Sequence, residues 1–142
     1  MIEFTTDIRP SMAIEMRASA GQKGEAPLTP DNLFRLINSG PAWGVRLDGK
    51  LIALGGHTPI WPGRTVVWGY LAEDCGPALR AMTREVRRQC EALAVEFPRI
   101  EAYAARHHEN GSQWLKLLGF RREGLMRKFY GDGDYFLFAR VQ

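Results

Sequence analysis

The most informative stretch of this 142-residue chain lies between Ile100 and Phe120. It reads Ile100-Glu101-Ala102-Tyr103-Ala104-Ala105-Arg106-His107-His108-Glu109-Asn110-Gly111-Ser112-Gln113-Trp114-Leu115-Lys116-Leu117-Leu118-Gly119-Phe120. Residues 100–105 predict a strand, and residues 111–118 predict a short helix. Gly119 stands at the C′ position, where helices commonly end in glycine, and Phe120 is the hydrophobic C″ partner that packs back on the helix. The sequence therefore predicts a strand that leads through a polar turn into a capped helix.

The segment before this strand predicts the longest helix of the chain. Its apolar residues recur at spacings of 3 or 4, at Leu79, Met82, Val86, Cys90, Leu93 and Phe97. This spacing matches the helical period, and Pro98 marks the end of the helix. A strand at 65–71 precedes the helix, so strands 65–71 and 100–105 predict a parallel pair joined by a crossover helix. Ligands tend to bind at the carboxyl ends of such strands.

The other segments complete a mixed α/β (α+β) pattern. Helices are predicted at about 8–19 and 30–38, separated by the loop 21–27, and the second helix opens with Thr29 as N-cap and Pro30 as its first residue. Strands at 43–47 and 51–58 flank the turn Asp48-Gly49, a loop follows over 59–64, and a tail hairpin joins 120–130 to 135–141. We predict one domain over residues 1–142, with a mixed sheet of six to seven strands and about four helices.

The composition is that of an ordinary soluble globular protein, with 45% hydrophobic and 25% charged residues. No apolar run approaches the roughly 18 residues that span a bilayer, and the N-terminus does not read as a secretory signal. Cys75 and Cys90 lie at the start of and within the long helix, where no disulfide can join them. We therefore expect a cytoplasmic protein.

The net charge of +3 and the pI near 9.1 leave two interpretations of the arginines open. The basic residues cluster in two places: Arg80, Arg84, Arg87 and Arg88, and then Arg121, Arg122, Arg127 and Lys128. Such patches bind nucleic acid or phosphate-bearing ligands, whereas the alternative is a solvated helix face. No nucleic-acid motif with interleaved aromatic residues accompanies them, so nucleic acid is not an expected partner.

The phrase from Asn110 to Phe120, together with the order of elements, resembles the GCN5-related N-acetyltransferase (GNAT) family. The late helix of that family commonly ends in a phrase such as "WLxxLGF" and continues into a strand with "xxEG", which Arg121-Arg122-Glu123-Gly124 matches here. The resemblance implies a mixed sheet that is splayed at its centre. A narrower likeness, to GNAT-like proteins of tailed phages, rests on Trp68-Gly69-Tyr70-Leu71, Phe97–Tyr103, Ala105–His108 and Trp114-Leu115.

The GNAT resemblance implies a site for acetyl-CoA as co-substrate. By that resemblance, the backbone of Trp68, Gly69 and Tyr70 binds the pantetheine arm. The pyrophosphate lies over the start of the long helix, at Asp74, Cys75, Gly76, Pro77 and Ala78, where helix N–H groups favour an anion. Asn110 and Trp114 complete the cofactor-binding set. The chain departs from the family pattern in having Leu71 where glutamine or arginine is expected, and Asp74 where glycine is expected. An aspartate there repels phosphate or acts as a plain N-cap, and Arg80 and Arg106 are the nearby cations that offset its charge.

The transfer step needs a base for the amine and an acid for the leaving thiolate. Many members of the family use a tyrosine as the acid, and Leu115 occupies that position here. By the resemblance, the asparagine that precedes this helix in the family maps onto His108, which implies that His108 bonds the pantetheine or donates a proton, since imidazole gains and loses a proton near neutral pH. The alternative is a polar residue at the helix start that faces water. Glu73 and Tyr70, at the cleft end, are the other candidate catalytic residues. His57 is a further candidate base, with a structural role as the alternative. Among the aromatic residues, Trp68, Tyr103, Trp114 and Phe120 are expected in the core or the cleft wall. No paired metal-ligand spacing is present, so no metal is expected.

Two functions follow as hypotheses. The first is an acetyl-CoA-dependent N-acyltransferase that moves the acetyl group directly to an amine. The second is a catalytically silent GNAT-like protein with a structural or interaction role, such as a virion-associated phage protein. Acidic residues on the acceptor side were expected to attract a cationic amine, namely Glu15, Glu25, Asp31, Glu123, Asp132 and Asp134. Expected protein partners are phage structural proteins or a second copy of the chain paired through an exposed final strand. The expected location is the cytoplasm, which for a phage protein means the host cytoplasm or the virion.

Overall fold

The computed structural model describes residues 1–16 and 27–142, and its helices and strands follow the predicted order. The strands are β1 (Ile2–Thr5), β2 (Ala42–Leu47), β3 (Lys50–Trp61), β4 (Arg64–Leu71), β5 (Arg99–Ala105), β6 (Arg121–Tyr130) and β7 (Gly133–Val141). The helices are α1 (Met12–Glu15), α2 (Pro30–Ser39), α3 (Gly76–Leu93) and α4 (Glu109–Leu117). Seven strands and four helices over these residues confirm the predicted fold class.

All seven strands belong to one sheet, in the order β1-β2-β3-β4-β5-β7-β6. Every neighbouring pair is antiparallel except β4 and β5, which are parallel and are connected by α3. The parallel register covers only the three pairs from Arg64↔Arg99 to Val66↔Glu101, although both strands continue beyond it. The sheet is therefore joined at the start of this pair and splayed at its carboxyl end.

The final hairpin corrects one prediction. β7 lies between β5 and β6, so the last strand of the chain is paired on both sides and β6 forms the edge. The prediction that the final strand is exposed for pairing with a second copy is wrong, because the hairpin folds back and inserts its second strand next to β5.

Two clusters of buried side chains stabilise the two halves of the sheet. The first lies under α1 and α2 and includes Leu33, Val45 and Leu54, each with no exposed surface. The second lies under α3 and α4 and includes Ile100 and Phe138, which are equally buried. The helix α3 contributes to both clusters, with Met82 in the first and Cys90 in the second, so this amphipathic helix fixes the two halves relative to each other.

Local sequence signals explain most element ends. The Thr29 side chain caps α2 by accepting a hydrogen bond of 3.1 Å from the Asn32 N–H, with Pro30 as the first helical residue. The end of α4 is a Schellman motif: Gly119 has φ +95°, its N–H bonds to the Lys116 carbonyl at 3.1 Å, and the Phe120 N–H bonds to the Leu115 carbonyl at 3.0 Å. Both caps were predicted from the sequence.

Several boundaries differ from the prediction, among them the end of α3, which lies at Leu93 rather than just before Pro98. The first helix begins at Met12 rather than near residue 8, because Pro10 disfavours helical geometry at the residue before it. Residues 17–19 of that predicted helix, and 21–26 of the loop that follows it, lie outside the described residues. The strand β3 continues to Trp61, beyond the predicted end at residue 58, and accommodates Pro59 at a register shift between Pro59 and Trp61.

Candidate functional site

A cleft of about 930 Å³ opens where β4 and β5 part. Its floor includes Val67, Trp68 and Gly69 of β4, and Ala102 and Tyr103 of β5. Its walls come from α3 and from the first turns of α4. A volume of this size is typical of pockets for a large small-molecule ligand. The cleft thus lies at the carboxyl ends of a parallel pair, where the topology predicted a ligand site.

A charge network holds the closed end of the parallel pair together. Glu101 is 4% exposed and receives hydrogen bonds from Arg64, at 2.7 Å, and from Arg99. Arg99 also bonds Glu123 at 2.6 Å. The hydrogen bond from Arg64, followed by that from Arg99, lowers the pKa of Glu101 below 4.5 against the opposing effect of burial. The carboxylate is therefore ionised at neutral pH and fixes the point from which the strands diverge.

The start of α3 closes one end of the cleft. Its N-cap is Cys75, whose side chain makes no capping hydrogen bond, and Gly76 is exposed with nothing within 4 Å of where a Cβ would lie. Helix N-termini carry unsatisfied N–H groups and a partial positive charge. Both Cys75 and Gly76 line the cleft. The glycine leaves room for an anionic group to approach the backbone.

Asp74 does not act as the N-cap, which corrects one of the two structural interpretations of this residue. The N-cap is the next residue, and the Asp74 carboxylate pairs with the Lys50 ammonium group at the start of β3. This ion pair balances the negative charge beside the helix start. Of the two cations named from sequence, Arg106 pairs with Asp134 at 3.6 Å, and Arg80 is exposed on α3, one turn after Gly76.

The helix α4 forms the opposite wall and is tied to α3. The Trp114 indole Nε1 donates to the Thr83 hydroxyl at 2.8 Å, so this tryptophan lines the cleft with its ring and joins the two helices with its N–H. His108 is the N-cap of α4, is half-buried, and packs its ring against Gly111, where a Cβ would lie 2.7 Å from Nδ1. Leu115 lines the cleft but is 8% exposed and packs in the second core cluster.

Aromatic rings form the rest of the floor. Trp68 lies over Gly56 on the neighbouring strand, where a Cβ would come within 2.7 Å of the ring. Its buried Nε1 has no hydrogen-bond partner in the structure, so it is a donor at the cleft floor. Tyr103 contacts Phe129 at a centroid distance of 5.0 Å, and Phe129 contacts Tyr135 at 5.3 Å. The tail hairpin thereby supports the cleft from the β5 side.

The structure brings most of the predicted site residues to this cleft. The lining includes the candidate catalytic residues Glu73 and His108, and the candidate cofactor-binding residues Trp68, Gly69, Cys75, Gly76, Asn110 and Trp114. Four predicted residues lie outside the lining, namely Tyr70, Asp74, Pro77 and Ala78. Of these, Tyr70 is 9% exposed and Ala78 is 1% exposed, and both pack in the first core cluster. These placements argue against Tyr70 as a proton donor.

His57 is held by structural contacts at the far end of the cleft. Its Nδ1 lies 2.8 Å from the Thr65 hydroxyl, and its ring meets the edge of Phe97 at 5.6 Å. Burial lowers the pKa of His57 below 6.5, with a weaker opposing effect of Glu96. The imidazole is therefore neutral at pH 7. Its contacts with Thr65 and Phe97 favour a structural role for His57 over a role as the catalytic base.

Three of the six acidic residues expected to attract an amine lie in ion pairs. Glu15 pairs with Arg46, Glu123 with Arg99 and Asp134 with Arg106. Glu25 lies outside the described residues. Ion pairing therefore weakens the attraction that Glu15, Glu123 and Asp134 exert on a cationic amine.

Sequence reasoning missed an ion pair beside the start of α3 and one group of residues that line the cleft. Lys50 pairs with Asp74, which is 24 positions away in the sequence. The hairpin of β2 and β3 places Lys50 at the start of β3, and this is the only sequence signal that bears on its position near the start of α3. The α3 residues Val86, Cys90 and Leu93 were predicted as core, yet they also line the cleft. No sequence signal separates a core position from one beside a cavity, because both are apolar.

Three further observations concern the described residues alone. Within residues 1–16 and 27–142, no three His, Cys, Asp or Glu side chains are placed to hold a metal ion. No helix in that part of the chain is long and apolar enough to cross a membrane. Cys75 and Cys90 are buried and are not joined by a disulfide.

Solved structures share this fold at low sequence identity. The ribosomal-protein-S18-alanine N-acetyltransferase from Escherichia coli superposes with a TM-score of 0.75 at 15% identity, over 99% of this chain and 94% of that one. The ribosomal-protein-S5-alanine acetyltransferase from Vibrio fischeri gives 0.70 at 20% identity, over 99% and 92%. A GNAT-family acetyltransferase from Streptococcus pneumoniae gives 0.69 at 11% identity, over 100% of both chains. No family model and no curated protein sequence matches the chain.

These similarities establish the fold, which is that of the GNAT acetyltransferases. At identities of 11–20% they do not establish what the chain binds or which reaction it catalyses.

Proposed function

We propose that the protein is an N-acyltransferase that uses acetyl-CoA as its acyl donor and an amine as its acceptor. One observation carries the proposal: the cleft between the parted ends of β4 and β5 leads to the open helix start at Gly76. A long, thin donor with phosphates at one end matches a long cleft that ends at a helix N-terminus.

The residues present fit the phosphate end of the donor. Gly76 leaves the helix start accessible, and the Lys50–Asp74 ion pair removes the net negative charge that otherwise opposes binding. The Lys50–Asp74 pair is close to neutral, so the favourable field for the phosphates is that of the helix N-terminus itself.

The floor of the cleft fits the pantetheine arm. Gly69 is exposed, and a Cβ there would meet only the Leu54 carbonyl oxygen, at 3.7 Å. The Trp68 Nε1 is a buried donor without a partner, and a carbonyl oxygen of the donor is the kind of acceptor that would satisfy it.

The chemistry requires little beyond positioning. The amine nitrogen forms a bond to the thioester carbonyl carbon, the C–S bond breaks, and CoA leaves as a thiol after taking up a proton. Because the thioester is already activated, orientation supplies much of the rate. Leu115 offers no proton, so we assign proton transfer to His108 and Glu73, which line the same cleft.

The solved relatives with this fold include acetyltransferases named for alanine residues of ribosomal proteins. Peptides with a free N-terminal alanine, together with polyamines and free lysine, therefore form a suitable first acceptor panel for this chain.

The test measures acetyl transfer from labelled acetyl-CoA to this panel, with acetyl-CoA affinity measured in parallel by calorimetry. We expect transfer to at least one amine, and a kcat for His108→Ala about 100-fold lower with the affinity for acetyl-CoA within about twofold of wild type. His107→Ala is the matched control, because His107 is exposed and lies outside the cleft lining, and it should retain full activity.

Two results would count against the proposal. If acetyl-CoA does not bind at millimolar concentration, both the proposed donor and the proposed reaction are wrong. If wild type and His108→Ala are equally active, the proposed donor stands, but the role assigned to His108 is wrong.

A further inference from the structure

We propose that the cleft accepts acyl chains longer than acetyl, so that the donor class includes medium-chain acyl-CoA thioesters. The proposal rests on the proposed function, since it assumes that the donor is an acyl-CoA. It concerns a part of the cleft that we call the inner arm, lined by Val67, Ala102, Val86, Cys90 and Leu93.

The inner arm lies well beyond the helix start that receives the phosphates. The cleft is lined by α3 residues from Gly76 to Leu93. At 1.5 Å per residue, Val86 lies about 15 Å along the helix axis from Gly76, and Leu93 lies about 26 Å from it. The cleft therefore extends along almost the whole of α3 and not only its first turns.

The strands below leave a passage into this arm. Val67 and Gly69 point to the same face of β4, because side chains two apart in a strand share a face. The register Thr65↔Ile100 places Ala102 on that face too, beside the buried α3 residues Val86 and Cys90 of the second core cluster. Because Gly69 has no side chain and Ala102 has only a methyl group, they leave space above the sheet where the cleft continues into the inner arm.

The inner arm carries no charge at neutral pH. Val86, Cys90 and Leu93 are aliphatic or thiol side chains, and burial raises the pKa of the Cys90 thiol to about 11, so it stays protonated. His57, which also lines the cleft, is neutral for the reason given above and is bonded to Thr65. A surface of this kind favours a hydrocarbon chain over a polar or charged group.

The length of the arm sets the expected chain. Val86 to Leu93 spans about 10 Å of helix. An extended hydrocarbon with bonds of about 1.5 Å advances about 1.25 Å per bond, so a chain of about eight carbons matches the helix span from Val86 to Leu93.

The test is a series of dissociation constants for free CoA and for acetyl-, butanoyl-, hexanoyl-, octanoyl- and dodecanoyl-CoA, measured by competition below their micelle-forming concentrations. Burial of each methylene contributes about 0.8 kcal/mol, so we expect affinity to rise about fourfold per methylene, to stop rising near eight carbons, and to gain nothing at twelve. Constant or falling affinity from acetyl to octanoyl overturns the proposal.

Free CoA separates this proposal from the one on which it rests. If free CoA and acetyl-CoA bind and longer chains bind no better, the inner arm is not an acyl site and the proposed function stands. If no CoA compound binds, the proposed function fails and this inference fails with it.

A pair of variants locates the effect. Leu93→Trp fills the inner arm with an indole ring, and we expect it to abolish the gain from acetyl to octanoyl while free CoA binds as before. Ala92→Trp adds the same ring to the exposed side of α3, outside the cleft lining, and should retain the gain. If Leu93→Trp proves unstable by thermal unfolding, Cys90→Met fills the same arm with a flexible chain. A chain-length gain that persists in the filled variant overturns the assignment of the chain to the inner arm.

Discussion

The two halves of the β4–β5 pair differ in what holds them. From Arg64 to Val66 the strands are paired, and the buried Glu101 carboxylate lies between two arginines. From Val67 onward the same strands line an open cleft, whose floor combines the aromatic rings of Trp68 and Tyr103 with the small residues Gly69 and Ala102. The two halves of one strand pair therefore have different roles: the closed half contributes stability, and the open half provides the binding surface. Substitutions in one half should therefore leave the property of the other half nearly unchanged.

The largest effect should come from a negative charge at the open end. In Gly76→Glu the new carboxylate faces the phosphates, and like charges about 4 Å apart at an effective dielectric constant of about 20 repel by about 4 kcal/mol. We expect the affinity for acetyl-CoA to fall about 100-fold or more by calorimetry. The melting temperature should not fall, because an acidic residue in the first turn suits the helix dipole.

Gly124→Glu is the matched control for this variant. Gly124 also has nothing within 4 Å of a Cβ position, and it lies on β6, outside the cleft lining. Equal loss of affinity in both variants would mean that net charge, and not the helix start, controls binding.

A second variant tests the closed half. Glu101→Gln removes the carboxylate that accepts from Arg64 and Arg99, and we expect about 2 kcal/mol lower stability, or a melting temperature lower by about 8 °C. The affinity for acetyl-CoA should change by less than about twofold. A large loss of affinity at unchanged stability would show that the two halves are not separate.

The Glu101→Gln variant also tests how the stability of the protein depends on pH. Because the folded pKa of Glu101 lies below its ordinary value of 4.5, its stabilising contribution is fully present above that value and is lost as the pH falls through the folded value. The stability gap between wild type and Glu101→Gln should therefore be constant from pH 5 to 7 and shrink below about pH 4. Denaturant unfolding at these pH values measures it.

The smallest effect concerns the exposed ion pair beside the helix start. Lys50→Met removes the positive charge that pairs with Asp74, and we expect acetyl-CoA to bind roughly fivefold more weakly. Stability should change little, because exposed ion pairs contribute little to folding. The double variant Lys50→Met/Asp74→Asn should recover wild-type affinity at low salt. Failure to recover would indicate that Lys50 acts on binding independently of Asp74.

Local signals made most of the fold predictable. The cap at Gly119 and Phe120 and the period of α3 act within a few residues, so they are visible in the sequence. The position of β7 was not, because a hairpin can place either of its strands beside β5 with the same local pattern. The single-domain organisation and the likeness to phage proteins stay predictions.

The site was only partly predictable for a different reason. Gly76, His108 and Trp114 follow short motifs, and they lie at the cleft. The position of Tyr70 near the end of β4 predicts a cleft residue, but its side chain packs in the first core cluster. The face on which a side chain lies in a splayed strand depends on tertiary contacts. The ion pair of Lys50 with Asp74 joins positions 24 apart in sequence, which no local pattern encodes.

The most direct test of the division along β4 and β5 is amide hydrogen exchange with and without saturating acetyl-CoA. We expect added protection at residues 67–71, at 102–104 and at the start of α3 near Gly76, with no change at residues 64–66 and 99–101. Protection that is absent from 67–71, or spread equally over both halves of the pair, would contradict a binding surface formed by the parted strands.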